Sequence, residues 1–197
     1  MAVASYLLFV LGCLGAADIL LFHTIAHGIR KHPDARTELM PHALRGPTYA
    51  ALFLVVPNLA THGFYFAGLL LLLLFDVSIS LWDFWLEPKS RRFFGGLPAG
   101  EYLLHSVMAM VFGALVAAIL FGAGHWAWLP TRIEYQPASL PDLLRLLMAV
   151  MAVLVLLSGI QDAIAVVRLS GKSRRFGRAG LLPDLDQQNA RTAEGER

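Results

Sequence analysis

The chain has 197 residues, 57% of them apolar and 15% charged, with a formal net charge of +2. Soluble domains are roughly 45–50% apolar and about 25% charged, so a water-soluble fold of this length could not hide so much apolar surface. The single cysteine, Cys13, excludes an intrachain disulfide, and neither zinc-finger spacing nor a basic-aromatic pattern points to nucleic acid.

The first apolar run, 3–29, lacks the basic leader and short core of a signal peptide and reads as a retained helix, with Cys13 as a packing residue. It is long enough for a bilayer core of ~30 Å, which takes about 20 helical residues. Residues 47–86 then contain no Lys, Arg or Glu. As one helix they would measure about 60 Å at 1.5 Å per residue, twice the hydrocarbon thickness. The stretch therefore divides near Asn58 to Gly63 into helices 46–61 and 64–87. The first is short and contains Pro57, which leaves a re-entrant hairpin as the alternative. A basic, turn-rich loop around Lys89, Arg91, Arg92 and Gly95 leads to a fourth helix, 100–122. A polar and aromatic loop carrying Trp126 and Trp128 leads to a fifth, 140–167. Residues 170–197 are too polar to build a core and read as a disordered or surface-lying cytoplasmic tail behind a transmembrane domain over 1–169.

Charge supports this count. Five crossings bring twelve of the sixteen basic residues to one side, in the loops 30–45 and 88–98 and in the stretch 168–178. The positive-inside rule then places the N-terminus outside and the tail in the cytoplasm. The fold class is all-α, a polytopic helical bundle with five transmembrane helices, and a bacterial cytoplasmic membrane is the expected setting.

The chemistry lies in residues that lipid should exclude. Ionisable groups inside a membrane are costly and normally face a bundle interior, a cavity or a bound ion. Here Asp18, His23 and His27 fall on the first helix, Asp76, Asp83 and Glu87 on the third, Glu101 and His105 on the fourth and Asp162 on the fifth. All lie toward the cytoplasmic half, forming one polar layer. His23 and His27, Asp83 and Glu87, and Glu101 and His105 are each four apart, the spacing that puts two side chains on one helical face.

Three histidines with several carboxylates make a nitrogen and oxygen site for iron, zinc or manganese, while the lack of a Cys or Met cluster argues against soft metals. The expected metal ligands are His23, His27, Asp76, Asp83, Glu101 and His105. Asp18, Glu87 and Asp162 are additional ligands or supports, and Glu101 and Asp83 are the catalytic carboxylates. Helical bundles build di-iron centres from such groups, although their usual spacing is Glu-x-x-His and here it is Glu101-x-x-x-His105.

These residues point to a non-haem membrane metalloenzyme, with di-iron oxidase, hydroxylase or desaturase-like chemistry on an apolar lipid or quinone that enters from the membrane. Such an enzyme would need an electron donor or a membrane protein partner. A zinc hydrolase, a haem protein held by His23 or His27 with His105, and a transporter or assembly subunit are the alternatives. In a purely structural reading, Asp18 or Asp162 pairs with Arg30 or Arg92, and Arg45 screens the carboxylates or binds lipid headgroups. His32 and His42 fall in the basic loop as outer or surface groups, and His62 and His125 at the opposite boundary.

Overall fold

The apolar runs become helices, with two changes of boundary that matter for the site. The computed structural model describes residues 1–90, 92, 96 and 98–195, and the side chains of these except 33, 34, 90 and 171–195. Its main elements are α1 (Ala2–Asp18), a π-helical continuation (Ile19–Ala26), α2 (Leu39–Val55), β1 (Leu59–His62), α3 (Phe64–Ser90), α4 (Ala99–Ala123), β2 (Arg132–Tyr135) and α5 (Asp142–Gly195).

Four segments are long and apolar enough to cross a membrane: Ala2–Ala26, Phe64–Lys89, Ala99–Trp128 and Asp142–Ser170. Only 17–28% of the most apolar window in each is buried within the protein, so their apolar faces are left for lipid. Leu71, Phe121, Leu146 and Leu154 are each at least 59% exposed on those faces. Cys13 is also exposed and is not the packing residue expected of it.

The fifth helix of the expected bundle is α2. It begins at Leu39, seven residues before the expected start, and ends at Val55. Pro41 lies in its first turn, where the missing N–H costs no intrahelical bond. At 17 residues it is about 26 Å long. Its two ends lie against different parts of the bundle. Leu39 packs with Ala165 and Leu169 of α5, while the Pro57 and Asn58 carbonyls beyond its other end accept from the Ala138 and Gln136 N–H groups, both at 2.9 Å. The helix therefore runs antiparallel to α5 from the basic end of the bundle to the opposite one. There β1 pairs antiparallel with β2, from Leu59 with Tyr135 to His62 with Arg132, in the one small sheet among the described residues. His62 stacks against Trp126 at that end, far from the polar layer, as its boundary position suggested.

α1 packs on α4, and α2 packs on both α5 and α3. The α2–α5 contact is the closest. A Cβ on Gly46 would lie 2.8 Å from the Gly159 Cα and 3.1 Å from the Val155 carbonyl oxygen. A Cβ on Gly159 would lie 2.8 Å from the Gly46 Cα and 3.1 Å from the Ala43 oxygen. Lipid tails are as apolar as leucine, so membrane helices associate through close packing and polar contacts, and small residues permit that approach. Pro47 has no N–H to give to Ala43, so Gly159 sits against a carbonyl that lacks its usual helical donor. Gly159→Val should destabilise the bundle by about 1–3 kcal/mol, because backbone atoms cannot turn away as a side chain would. Unfolding in graded mixtures of mild detergent and SDS measures this, and an unchanged midpoint would contradict the glycine contact.

α5 keeps a helical backbone to Gly195, through the segment expected as a disordered or surface-lying tail.

Apolar clusters bracket the polar layer. A large one, which includes Leu8, Leu52, Phe53, Phe66, Leu115 and Met148, fills the half nearer the sheet. A small one, of Ile29, Ala35, Leu39, Ala165 and Leu169, closes the basic end.

Candidate metal centre

A change of helix type in the first segment sets the geometry of the site. Hydrogen bonds in a π-helix run from i to i+5, and such segments are frequent at functional sites. Asp18 and His23 are five apart, and the His23 Nε2 stands 3.4 Å from the Asp18 Oδ2. His27 turns elsewhere, with its Nδ1 donating to the Phe22 carbonyl at 2.9 Å. Gly28 then ends the segment in the left-handed region, at φ +55°, where a residue with a Cβ is strained.

α4 supplies the opposite wall. Glu101 and His105 share a face, one turn apart, as their spacing required. Glu101 is fully buried, with its Oε1 3.8 Å from the His23 Nε2. His105 is held between two carboxylates: its Nε2 lies 3.3 Å from the Asp18 Oδ1 and its Nδ1 3.0 Å from the Glu87 Oε1 of α3. The Phe84 ring covers the imidazole with centroids 5.5 Å apart.

Asp18, His23, Glu101 and His105 can each present one ligand atom such that all four lie within 4.8 Å of one another, and all four residues are buried. The two imidazoles approach different oxygens of Asp18, the His23 Nε2 at Oδ2 and the His105 Nε2 at Oδ1. The set is compatible with metal binding. Glu87 takes the place of a carboxylate that orients a ligating histidine through its other ring nitrogen.

Of the ligands expected from sequence, His23, Glu101 and His105 come together, and Asp18 joins them directly. Asp76 and Asp83 lie one helix over, around Arg45. The Arg45 Nη1 donates to the Asp83 Oδ2 at 2.8 Å, its Nη2 to the Ser80 Oγ at 2.8 Å, and its Nε lies 3.9 Å from the Asp76 Oδ1. Tyr49 donates to the Asp76 Oδ2 at 3.0 Å. Arg45 therefore screens the carboxylates, one of the two roles its sequence position suggested. Asp162 is bound by the Arg30 guanidinium, which also donates to Ser158 and Gln161. The expected roles of Arg91 and Gly95 lie outside the described residues.

Two residues of the layer were not legible as such. Glu38 and His42 are buried, and with His23 they form a second group whose ligand atoms converge within 4.8 Å. His42 meets His23 edge to face at 4.4 Å, and its Nε2 is 3.5 Å from the Asp83 Oδ1. The available signal was Glu38-x-x-x-His42, the same spacing as Glu101-x-x-x-His105.

A cavity of about 630 Å³ opens onto this layer, and Asp18, His42, Arg45 and His105 form part of its polar end. Leu11, Gly12, Phe53, Met108, Phe112 and Met151 line its apolar part. That volume falls within the roughly 300–1,000 Å³ of small-molecule sites. No protein-family model, curated protein or solved structure matches the chain. Function has to be argued from this geometry.

Proposed function

We propose that the chain is an integral-membrane metalloenzyme that holds an ion with Asp18, His23, Glu101 and His105 and acts on an elongated apolar molecule in the adjoining cavity. The observation that carries this reading is the convergence of four buried donors, two of which, Asp18 and His105, line a largely apolar cavity. Two imidazoles with two carboxylates suit iron, manganese or zinc. Iron is our choice. When bound, it would supply dioxygen activation for oxidation or hydroxylation of a lipid or quinone, with electrons from a membrane-associated donor.

The protein groups have separate tasks in this reaction. The apolar wall excludes water and aligns the substrate, with Phe84 packed against both the cavity and His105. Glu101, whose Oε1 is the more distant carboxylate contact of His23 at 3.8 Å, takes or returns a proton at that oxygen. Asp83, fixed by Arg45, positions His42 and does not meet substrate. The basic clusters near Arg30, Lys89 and Arg168 turn that end toward the cytoplasm under the positive-inside rule, and a bacterial inner membrane is the setting we propose.

A zinc hydrolase is the second reading, favoured by a set of four buried nitrogen and oxygen donors, the number that a zinc ion takes. Haem is disfavoured because the Asp18 carboxylate stands between the His23 and His105 imidazoles, where a porphyrin ring would have to pass. Elemental analysis of detergent-purified protein separates these readings. Iron in at least one equivalent per chain is expected. Stoichiometric zinc without iron would reject the redox chemistry, and a Soret band would restore haem.

A further inference from the structure

The cavity beside the candidate metal centre holds a second polar group that the proposed chemistry leaves unused. Arg45, Tyr49, Asp76 and Ser80 line it, as Asp18 and His105 do. Asp76 is 1% exposed. Its Oδ2 accepts from the Tyr49 hydroxyl at 3.0 Å, while its Oδ1 is buried and accepts no hydrogen bond among the described residues. The Arg45 Nε stands 3.9 Å from that Oδ1, too far for a direct hydrogen bond, and the two Nη atoms of the same guanidinium donate to Asp83 and Ser80. Buried polar atoms are almost always hydrogen-bonded, so an unfilled acceptor in the wall of a cavity marks the place of a group that enters it. A polar contact wider than about 3.5 Å calls for an oxygen between its two ends.

Chemistry narrows what that oxygen belongs to. It must accept from the Arg45 Nε and donate to the Asp76 Oδ1 at once, and a hydroxyl does both. A ketone, quinone or ester carbonyl only accepts, and an ammonium only donates. A carboxylate also only accepts, and it would meet the like charge of Asp76. The remaining walls set the body of the molecule. Leu11, Phe53, Phe112 and Met151 offer apolar surface in a cavity of about 630 Å³. Leu20, Leu81 and Leu154, from the first span, α3 and α5, also line it and are at least 56% exposed, so a molecule dissolved in the bilayer reaches it from the side.

We propose that Arg45, Tyr49 and Asp76 form a recognition site for a hydroxyl group, and that the ligand of this cavity is an apolar alcohol. This rests on the reading of the cavity as the substrate site and narrows the substrate class, against fatty acids and quinones. The hydroxyl sits between the Arg45 Nε and the Asp76 Oδ1, and Tyr49 steadies Asp76 from its other oxygen. The rest of the molecule then lies in the cavity that Asp18 and His105 share.

The test uses the full chain in nanodiscs of phosphatidylcholine, whose headgroup has no hydrogen-bond donor, with tritiated hexadecanol as the probe. Binding above that of empty nanodiscs is expected. Hexadecyl methyl ether, which accepts but cannot donate, and palmitate, at a pH that ionises it, should displace the probe roughly 10–100-fold less well than unlabelled hexadecanol, the factor expected of a hydrogen bond to a buried charged group. Asp76→Asn should close the gap between hexadecanol and palmitate, because the amide removes the repelling charge and adds a donor. A loss of binding shared equally by all three compounds in Asp76→Asn would reduce Asp76 to a structural residue and overturn the proposal. Equal displacement by the three in the unaltered chain would overturn it whether or not Asp76→Asn folds. Metal content of the same samples separates this site from the reading it rests on. A preference for hexadecanol in protein that never holds metal keeps the hydroxyl site and removes the metalloenzyme, whereas bound metal without that preference does the reverse.

Discussion

His105→Ala should lose most of the metal that the unaltered protein retains through purification, and His23→Ala should do the same. Each removes a nitrogen donor from the set around Asp18 and leaves buried carboxylates facing one another. His105→Gln keeps a polar side chain of similar reach but offers a poorer ligand, so it should preserve more folded protein without recovering metal. Glu87→Gln tests a different role. Glu87 contacts the Nδ1 of His105, while the Nε2 faces the donor set, so its replacement should weaken metal affinity about 10–100-fold and leave the ligands in place. Metal per chain, measured on monodisperse protein of unchanged helicity, checks both expectations. Full metal content in well-folded His105→Ala and His23→Ala proteins would reduce the layer to a structural network.

Helix number and the depth of the polar layer were legible because both follow from simple physics. A bilayer sets the length of an apolar run, and charged groups within such runs must gather away from lipid. Glu101 and His105 stand on one face because α4 is a regular helix, for which a four-residue spacing is a reliable guide. The same rule did not carry over to His23 and His27, since the regular α-helix ends at Asp18 and His27 caps a wider π-helical segment, where its Nδ1 meets the Phe22 carbonyl while His23 meets Asp18. No spacing rule applied to an ideal α-helix could have made that choice. Glu38 and His42 were hidden for another reason. Pro33, Pro41 and the charged residues around them gave 30–45 the composition of a loop, yet α2 begins at Leu39 and absorbs Pro41. Contacts between helices were legible only as alternatives, with Arg30, Arg92 or a tail arginine as the expected partner of Asp162. The pairing of Arg30 with Asp162 joins residues 132 positions apart, and nothing local selects it over other basic partners.

Arg45 should prove the least replaceable residue for folding. It lies on α2, between two aspartates of α3, and its guanidinium donates to Asp83 and Ser80 while approaching Asp76. Its side chain is only 18% exposed, and those of Asp76 and Asp83 are 2% and 1% exposed, so water screens this group weakly. Arg45→Leu preserves an apolar stem but strands two buried carboxylates, and removing one partner of a buried ion pair typically costs about 3–5 kcal/mol. Arg45→Lys should recover part of that loss, because an ammonium supplies the charge without the planar fork that reaches Asp83 and Ser80 together. Arg45→Leu combined with Asp83→Asn should recover more, by removing one of the stranded charges. The yield of monodisperse protein and its unfolding midpoint in SDS order the three variants. If Arg45→Leu is as stable as the unaltered chain, Asp76 and Asp83 are not held as carboxylates by this arginine.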